Sequence, residues 1–306
     1  MQSEERTSYI RSIEDLIEHY QNQNRDGNLY VGIEWERHGV YRDSMKPVHY
    51  AGENGYLAIY RKLIEEAGWE ILKGEENYIY ELKRGETKVT TEGDGRPELS
   101  GSPQENLHDL AREFRLHNNE IVEMGNVFNI AWLPLCWQPL HNSDEIVLIP
   151  KKRYELFSDL NLAEYVKFNN GLTANFSVTD EKNLIRKSQT MFRVAPILAA
   201  MFASGPFSTG KPNCILDNRR ADLMRHPNRF LAPKNILSEK FGLRSWLTHY
   251  INLPLLFIFE NDTEKLTDGK ITFGQWIEHG IDGRFPTSYD FDQHVKSTWS
   301  DLRLRP

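Results

Sequence analysis

Two cysteines, Cys136 and Cys214, are the only thiols in 306 residues. There is no Cys-x-x-Cys pair and no Cys/His spacing, so a zinc-ligand pattern is absent. So few cysteines suit a reducing compartment, where disulfides are rare. No run of lysines and arginines supplies the basic face of a duplex-binding protein, and a net charge of −7 with a pI of about 5.9 argues against nucleic acid as a partner. Long apolar runs are missing too. The most apolar stretch, MFRVAPILAAMFASGPF, is interrupted by Arg193 and Pro196 and is too short to cross a bilayer. The first residues, MQSEERTSYIRSIEDL, are polar and acidic and lack a signal-peptide pattern. A cytoplasmic protein with neither membrane nor nucleic acid as partner is therefore expected. Repeats and low-complexity tracts are also absent.

What is present fits a soluble protein with a substantial core: 39% of residues are hydrophobic and 26% charged. The 306 residues are twice a rough one-domain length of ~150. Helical spacing of Ile10, Ile13, Leu16, Ile17 and Tyr20 predicts a helix over 7–22. Val31, Ile33 and Trp35 alternate with Gly32, Glu34 and Glu36, a strand pattern. Residues 54–67 read as helix, and YIYELKRGETKVTTEG as a hairpin turning near Arg84-Gly85. A helix over 103–121, with Pro103 near its start, is expected from Leu107, Leu110, Phe114 and Ile121. VFNIAWLPLCW and GLTANFSV read as strands, 181–203 as a helix kinked or broken at Pro196, and YINLPLLFIFEN as a buried strand. Thr272 and Gly280 bracket a short helix as cap and stop. Strands and helices mix without a regular βαβ cadence. A single α+β domain over 1–306 with a mainly antiparallel sheet is the expectation.

Glu34 and Glu36, two apart on a strand, point to one face. An isolated Glu-x-Glu face is ordinarily a solvated one. A second pair, Glu92 and Glu98, brackets the turn in TEGDGRPELSGSP. If the two pairs converge, their repulsion calls for a cation, and oxygen-only ligands favour Mg2+ or Mn2+ over zinc. SGPFSTGKPN, containing Lys211, reads as an anion-cradling turn without the P-loop spacing. DNRRADLMRHPNRF offers Arg219, Arg220, Arg225 and Arg229, whose forks suit carboxylate and phosphate. In DLRLR, Arg303 and Arg305 would share one strand face. His38, His49, His108, His226 and His294 read as structural or surface residues, and Cys136 as a buried inert thiol.

Taken in order, GIEWE, EGDGRPELSGSP, PKKRYELF, ANFSVTDEKNL, PILAAMFASGPFSTGKPN, NRRADL with HPNRF, ITFGQWI and FDQHVKSTWSDLRLR are similar to the blocks of glutamate–cysteine ligases of the plant and proteobacterial type. The resemblance covers roughly 28–305. It implies a fold like the glutamine synthetase catalytic core, with an antiparallel sheet curled into a cup and helices outside. It also implies an ATP-dependent ligase that joins the γ-carboxylate of glutamate to the amine of cysteine through an acyl phosphate, with Mg2+ or Mn2+. By matched position it implies Glu34, Glu36, Glu92 and Glu98 as metal ligands and Arg219 as an amino-acid-binding arginine. Arg229 and Arg303 fall on the substrate or phosphate side. Arg219 and Arg303 are thus the catalytic candidates, and Arg229, Arg303 and Lys211 the nucleotide-side ones. The chain departs from the family pattern at Thr173, where glutamine is expected, and at Gly93 and Arg96, where proline and glutamine are expected. It departs again around Arg219, and the family pattern runs on beyond DLRLR. These departures leave open a related ligase with another acceptor amine, or a catalytically silent nucleotide-binding relative.

Overall fold

The computed structural model describes residues 8–22, 27–75, 77–160, 162–226, 231–260, 263–267 and 269–305. The chain folds as two compact units, one of residues 29–177 with 203–222, the other of 1–28, 178–202 and 223–306.

The first unit is built on an antiparallel six-stranded sheet. In chain order its elements are β1 (Val31–Glu36), β2 (His38–Tyr41), α2 (Tyr56–Ala67), β3 (Glu70–Glu75), β4 (Tyr78–Arg84), β5 (Thr87–Thr91) and β6 (Pro97–Ser100). They continue with α3 (Leu107–Val127), β7 (Ile130–Leu133), α4 (Lys152–Asp159), α5 (Ala163–Phe168) and β8 (Leu172–Phe176), and end with β9 (Phe207–Ser208), β10 (Lys211–Pro212) and α7 (Asn218–Leu223). The sheet order is β3-β4-β5-β6-β1-β8, with β2 and β7 paired apart from it. Register explains the two faces. Trp35, Leu99, Val89 and Leu82 are successive partners across β1, β6, β5 and β4, so one apolar row crosses the sheet. Phe114 of α3 packs its ring 4.4 Å from that of Trp35 on this face. Glu36, Glu98, Thr90 and Glu81 form the neighbouring row. Because strand side chains alternate, that row points to the other side. The chain thus places carboxylates opposite its core.

The second unit is mainly helical: α1 (Ile13–Asn22), α6 (Glu181–Phe202), α8 (Leu243–Ile251), α9 (Phe273–His279) and α10 (Ser288–Lys296), with a hairpin of β11 (Phe257–Glu260) and β12 (Thr263–Leu266). Its core gathers Leu16, Leu184, Trp246, Tyr250, Phe273, Trp276 and Phe291. No helix among the described residues is long and apolar enough to cross a membrane.

Several boundaries differ from the sequence expectation. α1 begins at Ile13 because Ser12 Oγ accepts from Asp15 N at 3.2 Å, while Ile10 is held extended by a bond from its N–H to Pro286 O. α3 begins at Leu107, not near Pro103, because the Asn106 side chain takes the His108 and Asp109 amides at 3.0 Å. α6 runs unbroken through Pro196. Pro196 is on an exposed face, where water can take up the carbonyl the ring leaves unbonded. In YINLPLLFIFEN the first two residues end α8, and among the described residues of the stretch only Phe257–Glu260 is strand. The residues carrying Arg303 and Arg305 form no strand: the Leu304 N–H and C=O are both bonded by the Tyr250 hydroxyl, at 2.9 Å, rather than by a ladder.

Candidate active site

Glu36 of β1 and Glu98 of β6 are direct cross-strand partners. Glu92, in the turn between β5 and β6, completes a group of three: one carboxylate oxygen from each of Glu36, Glu92 and Glu98 lies within 4.8 Å of the others. Glu34 is two residues along the same face, opposite Ser100 and Thr173, and is outside this group.

The turn is not a surface loop. Gly93, Asp94, Gly95 and Arg96 are all buried. The Glu92 N–H donates to Arg96 O at 3.0 Å and the Gly95 N–H to Glu92 O at 2.8 Å. Gly95 has φ +90°, and a Cβ there would lie 2.4 Å from the Tyr50 ring; one at Gly93 would lie 2.2 Å from Val166. The glycines let the chain turn between walls of protein, and so fix where Glu92 and Glu98 point.

Arg96 is at the centre. It is fully buried, donating from Nη1 to Asp94 Oδ1 at 2.7 Å, from Nε to Asn170 Oδ1 at 3.1 Å, and from Nη2 to Glu36 Oε2 at 3.2 Å and to Asn169 O. Glu92 Oε2 stands 3.9 Å from the same Nη2. Asn169 links onward: its Nδ2 donates to Glu36 Oε2 at 3.3 Å, and its Oδ1 accepts from Arg219 Nε at 2.5 Å. Arg219 also hydrogen-bonds the Tyr165 side chain. His38 holds the far side of Asp94, with Nδ1 3.5 Å from Oδ2, and its Nε2 is 3.1 Å from Phe168 O.

The electrostatics follow from burial and crowding. Burial, then Glu92, pushes the Glu36 carboxyl up to about 8 against the pull of Arg96 and Arg219. Burial, with Glu92, Glu36 and Glu34, pushes Glu98 well above the usual carboxylate range, although Thr90 Oγ1 donates to it at 2.5 Å. Burial pushes Asp94 up as well, but Arg96 and His38 outweigh it and hold the carboxyl at about 2. Burial and crowding thus favour the protonated form of Glu36 and Glu98, and a cation between them works in the opposite sense.

The donor set suits a hard divalent ion: three carboxylates and no sulfur or nitrogen. The backbone leaves room beside it. A Cβ on Gly171 would stand 3.1 Å from Glu36 Oε1, 3.7 Å from Thr173 Oγ1 and 3.9 Å from an Arg219 terminal nitrogen. Glycine there keeps a gap open between an acid and a guanidinium, a setting that can take both a cation and an anionic substrate group.

The other expected residues are placed differently. Lys211 is exposed on the β9–β10 hairpin. Arg303 is in the second unit, where its Nη1 donates to Thr298 O at 2.8 Å. Arg229 lies outside the described residues. Cys136, half-buried with its thiol pushed up by burial, fits an inert thiol. Sequence reasoning missed Asn169, Asn170, Tyr165 and Lys151. Lys151 belongs to the quoted PKKRYELF block, so a signal was there. Its Nζ donates to Thr91 Oγ1 at 3.3 Å and sits 4.5 Å from the Tyr80 ring centre. Burial lowers its pKa, while nearby Glu92 acts in the opposite sense.

A family model described as glutamate-cysteine ligase family 2 matches residues 30–306. Among curated proteins, "Glutamate--cysteine ligase A, chloroplastic" of Oryza sativa subsp. japonica is 26% identical over 298 residues, covering 91% of this chain and 58% of that protein. "Glutamate--cysteine ligase, chloroplastic" of Arabidopsis thaliana is 25% identical over 307 residues, covering 95% of this chain and 57% of its own length. The Brassica juncea protein of the same name is 25% identical over 289 residues, covering 90% and 54%. The chain spans a little over half the length of these relatives.

Proposed function

The chain belongs to glutamate–cysteine ligase family 2, and from that premise we propose that it is an ATP-dependent ligase joining the γ-carboxylate of glutamate to the amino group of cysteine. The observation that carries the reading is the convergence of Glu36, Glu92 and Glu98 on the sheet face opposite the core. Phosphoryl transfer to a carboxylate is mainly positioning and charge neutralisation. In this reading Glu36, Glu92 and Glu98 hold Mg2+ or Mn2+, with Glu34 adding to the local field. The bound ion supplies neutralisation of charge on the ATP phosphates and the acceptor carboxylate. Arg219, aligned by Asn169 and Tyr165, takes a carboxylate of the amino-acid substrate as a fork. Lys151, beside Glu92, offers a second cation to the anionic groups that enter. Arg229, Arg303 and Lys211 are proposed for the nucleotide side. Cysteine's amine then displaces phosphate from the γ-glutamyl phosphate.

We read the six-stranded sheet as the inner wall of a cup like that of glutamine synthetase. The two units together are read as one catalytic domain over 1–306, supported by a family match that runs through both.

The test is ADP release from ATP, Mg2+ and glutamate, with and without cysteine and with a panel of other amines. Cysteine-dependent ADP release supports the reading. Release only with another amine identifies a ligase of different acceptor. No release with any pair, from protein that binds ATP, removes the enzyme reading and leaves a silent nucleotide-binding relative.

A further inference from the structure

Arg96 is the one group in the acid cluster that carries a fixed opposite charge inside the turn itself. All three guanidinium nitrogens are engaged: Nε with Asn170, Nη1 with Asp94 and Val166 O, and Nη2 with Glu36 and Asn169 O. Its side chain is 0% exposed, so it has no solvent into which to swing away. Its Nη2 faces both Glu36 Oε2, at 3.2 Å, and Glu92 Oε2, at 3.9 Å.

We propose that Arg96 is a resident counter-cation, which engages Glu36 through Oε2 so that Glu36 offers an incoming ion only Oε1, and which restricts the cluster to one divalent ion. Glu36 Oε2 already receives two N–H donors, from Arg96 and from Asn169 Nδ2 at 3.3 Å. Oε1 is the oxygen that borders the gap kept by Gly171. The charge balance agrees. Counted with their neighbours, five carboxylates (Glu34, Glu36, Glu92, Asp94 and Glu98) against three cations (Arg96, Arg219 and Lys151) leave two negative charges, which one divalent ion cancels. A second would add an uncompensated double charge beside a guanidinium that cannot move. Arg96 is thus a positioning residue rather than a ligand. The inference rests on the metal reading of the cluster.

The test is Mn2+ binding to the full chain without nucleotide, followed by the electron paramagnetic resonance signal of free Mn2+, with thermal melting alongside. The wild type is expected to bind one Mn2+ that is lost in E98Q, and R96K, which keeps the charge, is expected to match it. R96Q is expected to bind about tenfold more tightly, or to take a second ion, since a unit charge a few ångströms away in a recessed site carries at least that weight. R96Q leaves the buried Asp94 with His38 but without its guanidinium, so D94N/R96Q is the companion in case R96Q fails to fold. It should show the same sign of change, smaller in size. If the wild type binds no E98Q-sensitive Mn2+, the metal reading falls and this inference with it. If the wild type binds Mn2+ and the folded R96Q and D94N/R96Q variants bind it with unchanged or weaker affinity and unchanged stoichiometry, only the counter-cation role is overturned.

Discussion

Glu36 and Glu98 face each other as a registered pair across β1 and β6, with Glu92 brought against both by a buried turn. Two acids opposed in this way destabilise a sheet unless something offsets them. Their positions make the cluster testable one residue at a time.

Glu98→Gln should lower Mn2+ affinity and turnover by more than about 100-fold, whereas Glu34→Gln, outside the group of three, should cost about tenfold, the range of an outer-shell residue. Titration of Mn2+ and initial rates on both variants measure this. Equal losses would put Glu34 among the ligands.

The pH dependence of stability has a definite sign. The Glu36 carboxyl stands at about 8 in the fold against an ordinary 4.5. The folded state therefore binds more protons than the unfolded state between those values, and stability falls as pH rises through that window. Metal-free protein should melt a few degrees lower at pH 8.5 than at pH 6. Excess Mg2+ should narrow the gap, and its affinity should rise with pH up to about 8. A Tm that climbs with pH in the presence of a chelator would refute this.

His117 supplies the opposite limb. It is buried, neither ring nitrogen has a hydrogen-bond partner among the described residues, and burial with nearby Arg37 and Arg84 drives its pKa well below 6.5. Unfolding lets it take up a proton, so stability is lost as pH falls below 6.5. His117→Leu should flatten that acid limb, giving roughly 1–2 kcal/mol more stability at pH 5 than the wild type. Denaturant melts at pH 5 and pH 7.5 would check it, and an unchanged slope would assign the acid sensitivity elsewhere.

In the second unit, Thr272 Oγ1 accepts from Gln275 N at 3.2 Å and Gln275 Oε1 accepts from Thr272 N at 2.8 Å. Thr272→Ala should cost about 1 kcal/mol, and Thr272→Ser only a few tenths. Chemical denaturation of the two variants is the measurement.

Much of this was legible in the residues alone. Period-2 alternation placed β1 and showed that Glu34 and Glu36 share a face, and Thr272 and Gly280 marked their helix to the residue. Those features are local, set by the backbone's own periodicity and by capping. The four acids were legible as residue types suited to a cation, and the ordered blocks as a family.

Other features came only from long-range packing. Which three of the four glutamates converge depends on the β1–β6 register and on a turn buried against Tyr50 and Val166. Arg96, one letter in a glycine-rich stretch, became the hub of Asp94, Glu36, Asn169 and Asn170 because residues 60 and more positions away close around it. The absence of a strand at Arg303–Arg305 was likewise out of reach, since a single hydroxyl from Tyr250 takes the bonds a ladder would have made. Periodicity reports which way a side chain points along its own element. Which charges meet, and at what local dielectric, is set by segments distant in sequence.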